Sequence, residues 1–116
     1  MTGSIRRVLE IALGPMRVKR QLPASAGGGR LVASARVGGL KYLFRGAEHL
    51  DPELLRVADL LIRKGDVVWD VGANVGLFSV AAAAIAGSEG RVISIEADID
   101  AVALLNMTVQ MRKLRH

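Results

Sequence analysis

Five residues carry the chemistry for which this sequence can be read. Asp70, Gly72, Asn74 and Gly76 lie within "VVWDVGANVGLFS", residues 67–79, and Glu96 follows 20 residues beyond Gly76. A carboxylate at the end of an apolar run, against a turn with two glycines, sets a negative field where backbone can approach a ligand closely. If a helix opens at that turn, its first N–H groups are free donors. A dinucleotide site wants G-x-G-x-x-G, but the spacing here is Gly72-x-x-x-Gly76, without the middle glycine that admits a pyrophosphate. Asp70 repels phosphate and attracts a cation. A ligand with an ammonium, a sulfonium and no phosphate suits that field, and S-adenosylmethionine is such a molecule. Glu96 can accept two hydrogen bonds from ribose hydroxyls, the task of such an acid in nucleoside-binding α/β folds. Singly, each residue has a plainer reading: the glycines a tight strand–helix turn, Asp70 a helix N-cap, Glu96 a solvated acid. Their joint occurrence in this order points to a cofactor cradle.

The elements that must position these residues follow from the hydrophobic pattern. Val67 to Val71 lacks polar alternation before Asp70, as a strand buried on both faces should. Val75 to Ala86 reads as a buried helix ended by Gly87, Arg91 to Ile95 as the next strand, and Ile99 to Arg112 as the next helix. Strand, helix, strand, helix is the order of a parallel α/β sheet, which binds ligands at the carboxyl ends of its strands. Upstream, Asp51 and Pro52 suit the N-cap and first position of a helix carrying Leu54, Leu55, Ala58, Leu61 and Ile62, closed by Lys64-Gly65. Two strand-like runs, Leu31 to Val37 and Leu40 to Phe44, flank Gly38-Gly39, a pair suited to a hairpin turn. Ile5, Val8, Leu9 and Ala12 fall at helical spacing, ended by Gly14-Pro15. "PASAGGGR", residues 23–30, reads as a linker. The expected division is a basic N-terminal helix and linker over residues 1–29, then an α/β unit over residues 30–116.

Composition bounds the remaining classes. The 116 residues suffice for one small domain, and 51% of them are hydrophobic, which excludes wholesale disorder. Cysteine is absent, which removes disulfides, thiolate metal sites and a cysteine nucleophile. His49 and His116 are too few and too far apart for a metal cluster, and no metal is expected. Residues 1–40 hold seven basic side chains and one acid, whereas residues 41–116 hold nine basic and ten acidic ones. The net charge of +5 therefore belongs to the N-terminal segment. Such an arm can meet nucleic acid or anionic lipid, but no aromatics are interleaved for stacking bases, so a solvated surface is the simpler reading and no nucleic acid is expected. The apolar stretch Leu77 to Ala86 has about half the ~20 residues of a membrane-spanning helix. No span or secretory signal is read, and a cytoplasmic location is expected.

"VVWDVGANVGLFSVAAAAIAGSEGRVISIEAD", residues 67–98, resembles the first βαβ unit of class I SAM-dependent methyltransferases. Within them it is similar to the FkbM-type family, whose glycine motif D-x-G-A-N-x-G matches Asp70 to Gly76. The preceding "LLIRKGDVVWDVG" is similar to the family's lead-in. The resemblance covers residues 60–100, about a third of the chain, and departs at Ala97, where the family usually has proline. It implies a Rossmann-like fold in which Asp70 helps hold the methionine ammonium and the backbone from Gly72 to Gly76 passes under the methionine and sulfonium. It further implies that Asn74 donates to the methionine carboxylate and that Glu96 clasps the ribose. The implied activity is methyl transfer, O-methyl transfer foremost, to a small-molecule or glycan acceptor by in-line attack on the sulfonium methyl, with positioning doing most of the work. No residue of this chain is assigned a catalytic role. The sheet is expected to be truncated after its second strand–helix unit, leaving an edge open to self-association. Two alternatives stand beside this reading: a non-catalytic module that binds SAM or a nucleoside, and a basic-armed interaction protein.

Overall fold

The computed structural model describes residues 2–45 and 49–113. In chain order these form α1 (Gly3–Leu13), β1 (Arg17–Gln21), β2 (Arg30–Ser34), α2 (Lys41–Phe44), α3 (Pro52–Leu61), β3 (Val67–Val71), α4 (Leu77–Ala86), β4 (Arg91–Ile95) and α5 (Ile99–Lys113). The class is α/β, with helices packed on two separate two-stranded sheets. No helix among the described residues is long and apolar enough to cross a membrane.

The C-terminal half matches the hydrophobic pattern closely. β3 and β4 pair in parallel, with Val67 opposite Arg91, Asp70 opposite Ser94 and Val71 opposite Ile95. The crossover between them is α4, whose Leu77, Ser79, Ala81, Ala82 and Ala86 are buried. Small side chains on that helix allow the close approach that strand pairing on one side and helix packing on the other require. α4 contacts both sheets and α3, and with Leu31, Leu50, Val75 and Leu104 it forms the core. Burial of β3 on both faces is not observed. Val68 and Asp70 are half-buried, whereas Val67, Trp69 and Val71 on the opposite face are exposed, with Trp69 at 64%. No second helical layer covers that face among the described residues.

The N-terminal half corrects several expectations. A hairpin exists, but it joins β1 to β2 in antiparallel register from Arg17↔Ser34 to Gln21↔Arg30. Leu40 to Phe44 is not its second strand: the segment closes into α2, and Arg20 of β1 holds it there. Arg20 donates to the carbonyls of Tyr42 at 2.7 Å and Leu43 at 2.6 Å. The segment read as a linker, residues 23–30, is the hairpin's connection, closed by Leu22 N–H to Gly29 C=O at 2.7 Å. A Cβ on Gly27 or Gly29 would collide with Ala84 or Val80 of α4, so the glycine tract is a packing surface rather than a flexible spacer. β2 is tied to α5 by the buried bond from Val32 N–H to Thr108 Oγ1, 2.9 Å, and the hairpin does not extend the β3–β4 sheet. Asp51 precedes α3 as expected but caps nothing with its side chain, having taken a left-handed conformation with φ 48. α3 ends at Leu61, ahead of Lys64-Gly65.

Candidate functional site

The loop from β3 to α4 lies at the carboxyl end of the parallel pair, as a ligand turn in such a sheet should. Gly72 turns the chain with φ 82, and the N–H groups of Gly72 and Ala73 both donate to Ile95 C=O, at 2.8 and 3.0 Å. The turn is thereby folded back over the end of β4. Buried Ala73 and Val75 anchor it from below. Asn74 adopts φ 52, a conformation that asparagine tolerates better than most side chains. Gly76 closes the turn with φ 92 and opens α4, whose N-terminus receives no side-chain cap.

The two carboxylates have different surroundings. The Asp70 side chain turns toward α4, where its Oδ2 accepts the Ser79 hydroxyl at 2.5 Å. Ser79 Oγ also lies 2.6 Å from Ser94 Oγ. A hydroxyl has one proton to give, so with Ser79 donating to Asp70, Ser94 donates to Ser79. This chain of three links the ends of β3 and β4 through the first turn of α4. Asp70 is therefore not the N-cap of α4; it holds the side chain of the helix's third residue.

Glu96 stands at the rim of the turn. Its Oε2 accepts Asn74 N–H at 2.7 Å, and Oε1 accepts Ala97 N–H at 2.8 Å and Asp98 N–H at 2.9 Å. These bonds favour the ionised form, Asp98 N–H foremost and then Asn74 N–H, and hold the carboxyl below its ordinary value against an opposing desolvation. Asp98 in turn accepts from Asp100 N–H at 2.8 Å and Ala101 N–H at 3.3 Å, satisfying the start of α5.

Asn74 and Glu96 are thus bonded directly, Gly72 and Gly76 belong to the same turn, and Asp70 is joined to Ser79 rather than to Glu96. Ser79, Ser94 and Asp98 are the residues that sequence reasoning passed over. Ser79 as the one polar break in an apolar helix, Ser94 in "VISI" and Asp98 just before a helix start were their signals. Open space lies where a Cβ on Gly72 would project, whereas one on Gly76 would stand 2.5 Å from Leu105 Cδ1. The turn faces solvent rather than a walled cleft. Two clefts of about 700 and 860 Å³ lie to either side of it, and Ser79 and Ser94 line the one of 860 Å³. No group of His, Asp and Glu suited to a metal ion occurs among the described residues, and His116 lies outside them.

These features define an α/β protein with a glycine turn and an acid from each of two neighbouring parallel strands at the sheet's carboxyl edge. No protein-family model, no curated protein and no solved structure matches the chain.

Proposed function

We propose that the β3–α4–β4 unit is the cofactor-binding half-site of a Rossmann-like, class I SAM-dependent methyltransferase of FkbM type, acting by O-methyl transfer on a small-molecule or glycan acceptor. The observation that carries the reading is the bond from Asn74 N–H to Glu96 Oε2. It brings a ribose-type acid from the end of one strand onto a glycine turn from the end of the next.

The residues present suit the cofactor. Gly72 leaves open space beside the turn, and the uncapped N–H groups of α4 and the Asn74 side chain are donors for an amino-acid carboxylate. No lysine or arginine belongs to the turn, so the carboxylates of Asp70 and Glu96 favour a cationic ligand. Glu96 has about four acceptor positions, of which three are filled. A ribose hydroxyl would take the one left on Oε2, and a second hydroxyl would have to displace Ala97 or Asp98 N–H. When bound, the cofactor supplies a methyl group activated by the sulfonium. The residues of this chain bind and orient it, and none of them is assigned a proton-transfer role.

The test is titration calorimetry with S-adenosylhomocysteine, comparing the natural chain with Glu96→Ala and Gly72→Val and using NAD as the phosphate-bearing control. Saturable heat with S-adenosylhomocysteine, weakened in both variants and absent with NAD, is expected. A folded chain that gives no heat with S-adenosylhomocysteine, or that binds NAD more tightly, overturns the proposal.

A further inference from the structure

The N-terminal helix is not used by the reading above. α1 buries none of its residues. Ile5, Val8 and Ile11 recur at three-residue spacing along one side of it and are 54%, 63% and 70% exposed; Met16, just beyond the helix, is 51% exposed. Ala12 extends the same exposed stripe. An apolar stripe of this kind is costly to leave in water, and single exposed residues do not account for one that is continuous along a helix.

The charge beside the stripe is basic. Ile11 is on the wall of a cleft of about 700 Å³ that Arg7, Arg17 and Arg36 also line. Arg36 is shared with Asp100 at 3.2 Å, and Glu10, the cleft's other acid, is occupied by Arg6 at 2.9 Å. Among the described residues, Arg7 and Arg17 have no ion-pair partner. A short amphipathic helix with its apolar side outward and cations along its flank matches an anionic bilayer surface. Apolar side chains enter the headgroup boundary while phosphates and carboxylates meet the arginines. A second copy of this basic segment would instead set like charges against each other.

We infer that α1 is a peripheral membrane-docking surface. It seats Ile5, Val8, Ile11 and Met16 in the interface of an anionic phospholipid bilayer, with Arg7 and Arg17 against the headgroups. Docking of this kind needs no spanning segment.

The experiment is co-sedimentation of the full chain with vesicles of phosphatidylcholine alone, or mixed equally with phosphatidylserine, at physiological salt. Retention on the mixed vesicles only is expected. Arg7→Ala and Arg17→Ala should each weaken it about fivefold, and Val8→Glu, at an exposed position that leaves the core intact, should abolish it. Absence of retention on phosphatidylserine overturns the inference, as does retention unchanged by Val8→Glu. Heparin binding equal in the natural chain and Val8→Glu, without vesicle binding, assigns the arm to polyanions and also overturns it. So does concentration-dependent dimerisation abolished by Val8→Glu, again without vesicle binding.

Discussion

Alanine at Gly76 and alanine at Gly72 should differ in cost although the two backbones are alike. Both glycines have a left-handed φ, 92 and 82. An L side chain in that region costs about 1–2 kcal/mol, offset by roughly 0.4–1 kcal/mol because alanine narrows the unfolded ensemble. At Gly72, where the new Cβ would meet nothing within 4 Å, the net loss is thus about 0–1.5 kcal/mol. At Gly76 the Cβ would stand 2.5 Å from Leu105 Cδ1, and Leu105 is itself buried. Forcing a methyl group into a packed core adds about 1–3 kcal/mol, so Gly76→Ala should lose about 1–4.5 kcal/mol in all. Urea unfolding followed by far-ultraviolet circular dichroism measures both. A double-mutant cycle with Leu105→Ala isolates the contact, because that change removes the atom in the way and should recover about 1–3 kcal/mol of the Gly76→Ala loss. Equal losses at the two glycines, or an additive cycle, would mean that α5 does not pack on the turn as described. Gly72→Ala carries the complementary expectation, near-natural stability with weakened S-adenosylhomocysteine binding.

Three further outcomes are expected. The N–H bonds to Glu96 lower its pKa from 4.5, so their contribution to stability is present above the carboxyl's ordinary range and is lost as pH falls through its lowered folded value. Melting temperatures of the natural chain and Glu96→Gln should therefore converge in acid and separate toward neutrality; parallel curves would count against the three bonds. Tyr42, the sole tyrosine, is pushed up to about 12 by burial and secondarily by the Asp51 charge. Its absorbance titration should centre there, with stability declining as pH rises from 10 to about 12; a midpoint near 10 would place the phenol in water. Trp69, the sole tryptophan, should in dilute solution emit as a hydrated indole open to acrylamide. If the outer face of β3 mediates self-association, the emission should shift to the blue with rising concentration in the natural chain and Trp69→Glu should remain monomeric; sedimentation showing equal association in both would clear that face.

The parts of the fold legible in the sequence are those whose signals are local. Val67–Val71 lies between Gly65 and Gly72 and Arg91–Ile95 follows Gly90, and the pattern matches both strands to the residue; α4 differs only in starting at Leu77 rather than Val75. β1 was illegible because "RVKRQ" shows a single apolar residue. Its place depends on the pairing with β2 and on the bonds from the Arg20 guanidinium to α2 carbonyls, neither of which leaves a hydrophobic pattern. Leu40 to Phe44 is too short for periodicity to separate strand from helix. Glycines at 27–29 resemble a linker in composition, and only their collision geometry with α4 reveals close packing. The exposure of Trp69 was also beyond pattern reading, since the apolar run Val67-Val68-Trp69 looks the same whether one face is covered or two.

At the candidate site the same division separates residue type from residue task. Sequence spacing brought Asp70, the glycine turn and Glu96 into one place, but the task of each acid depends on strand register. Because Asp70 pairs with Ser94, its side chain meets Ser79 between the strands, and part of its hydrogen-bonding capacity goes to holding α4. Glu96, two residues beyond Ser94, clears the strand end and reaches the turn. Its three backbone bonds fix the carboxylate, which would lower the ordering cost of the proposed binding, and they leave about one acceptor position open. Glutamine at 96 would present either its carbonyl or its amide to Asn74 N–H, and the amide is a donor facing a donor. An effect of Glu96→Gln on ligand binding would therefore mix loss of the turn with loss of the proposed ribose contact. At Gly72 an added Cβ would meet nothing within 4 Å and the three bonds to Glu96 stay in place, so a change in binding there reports on the ligand more directly than one at Glu96.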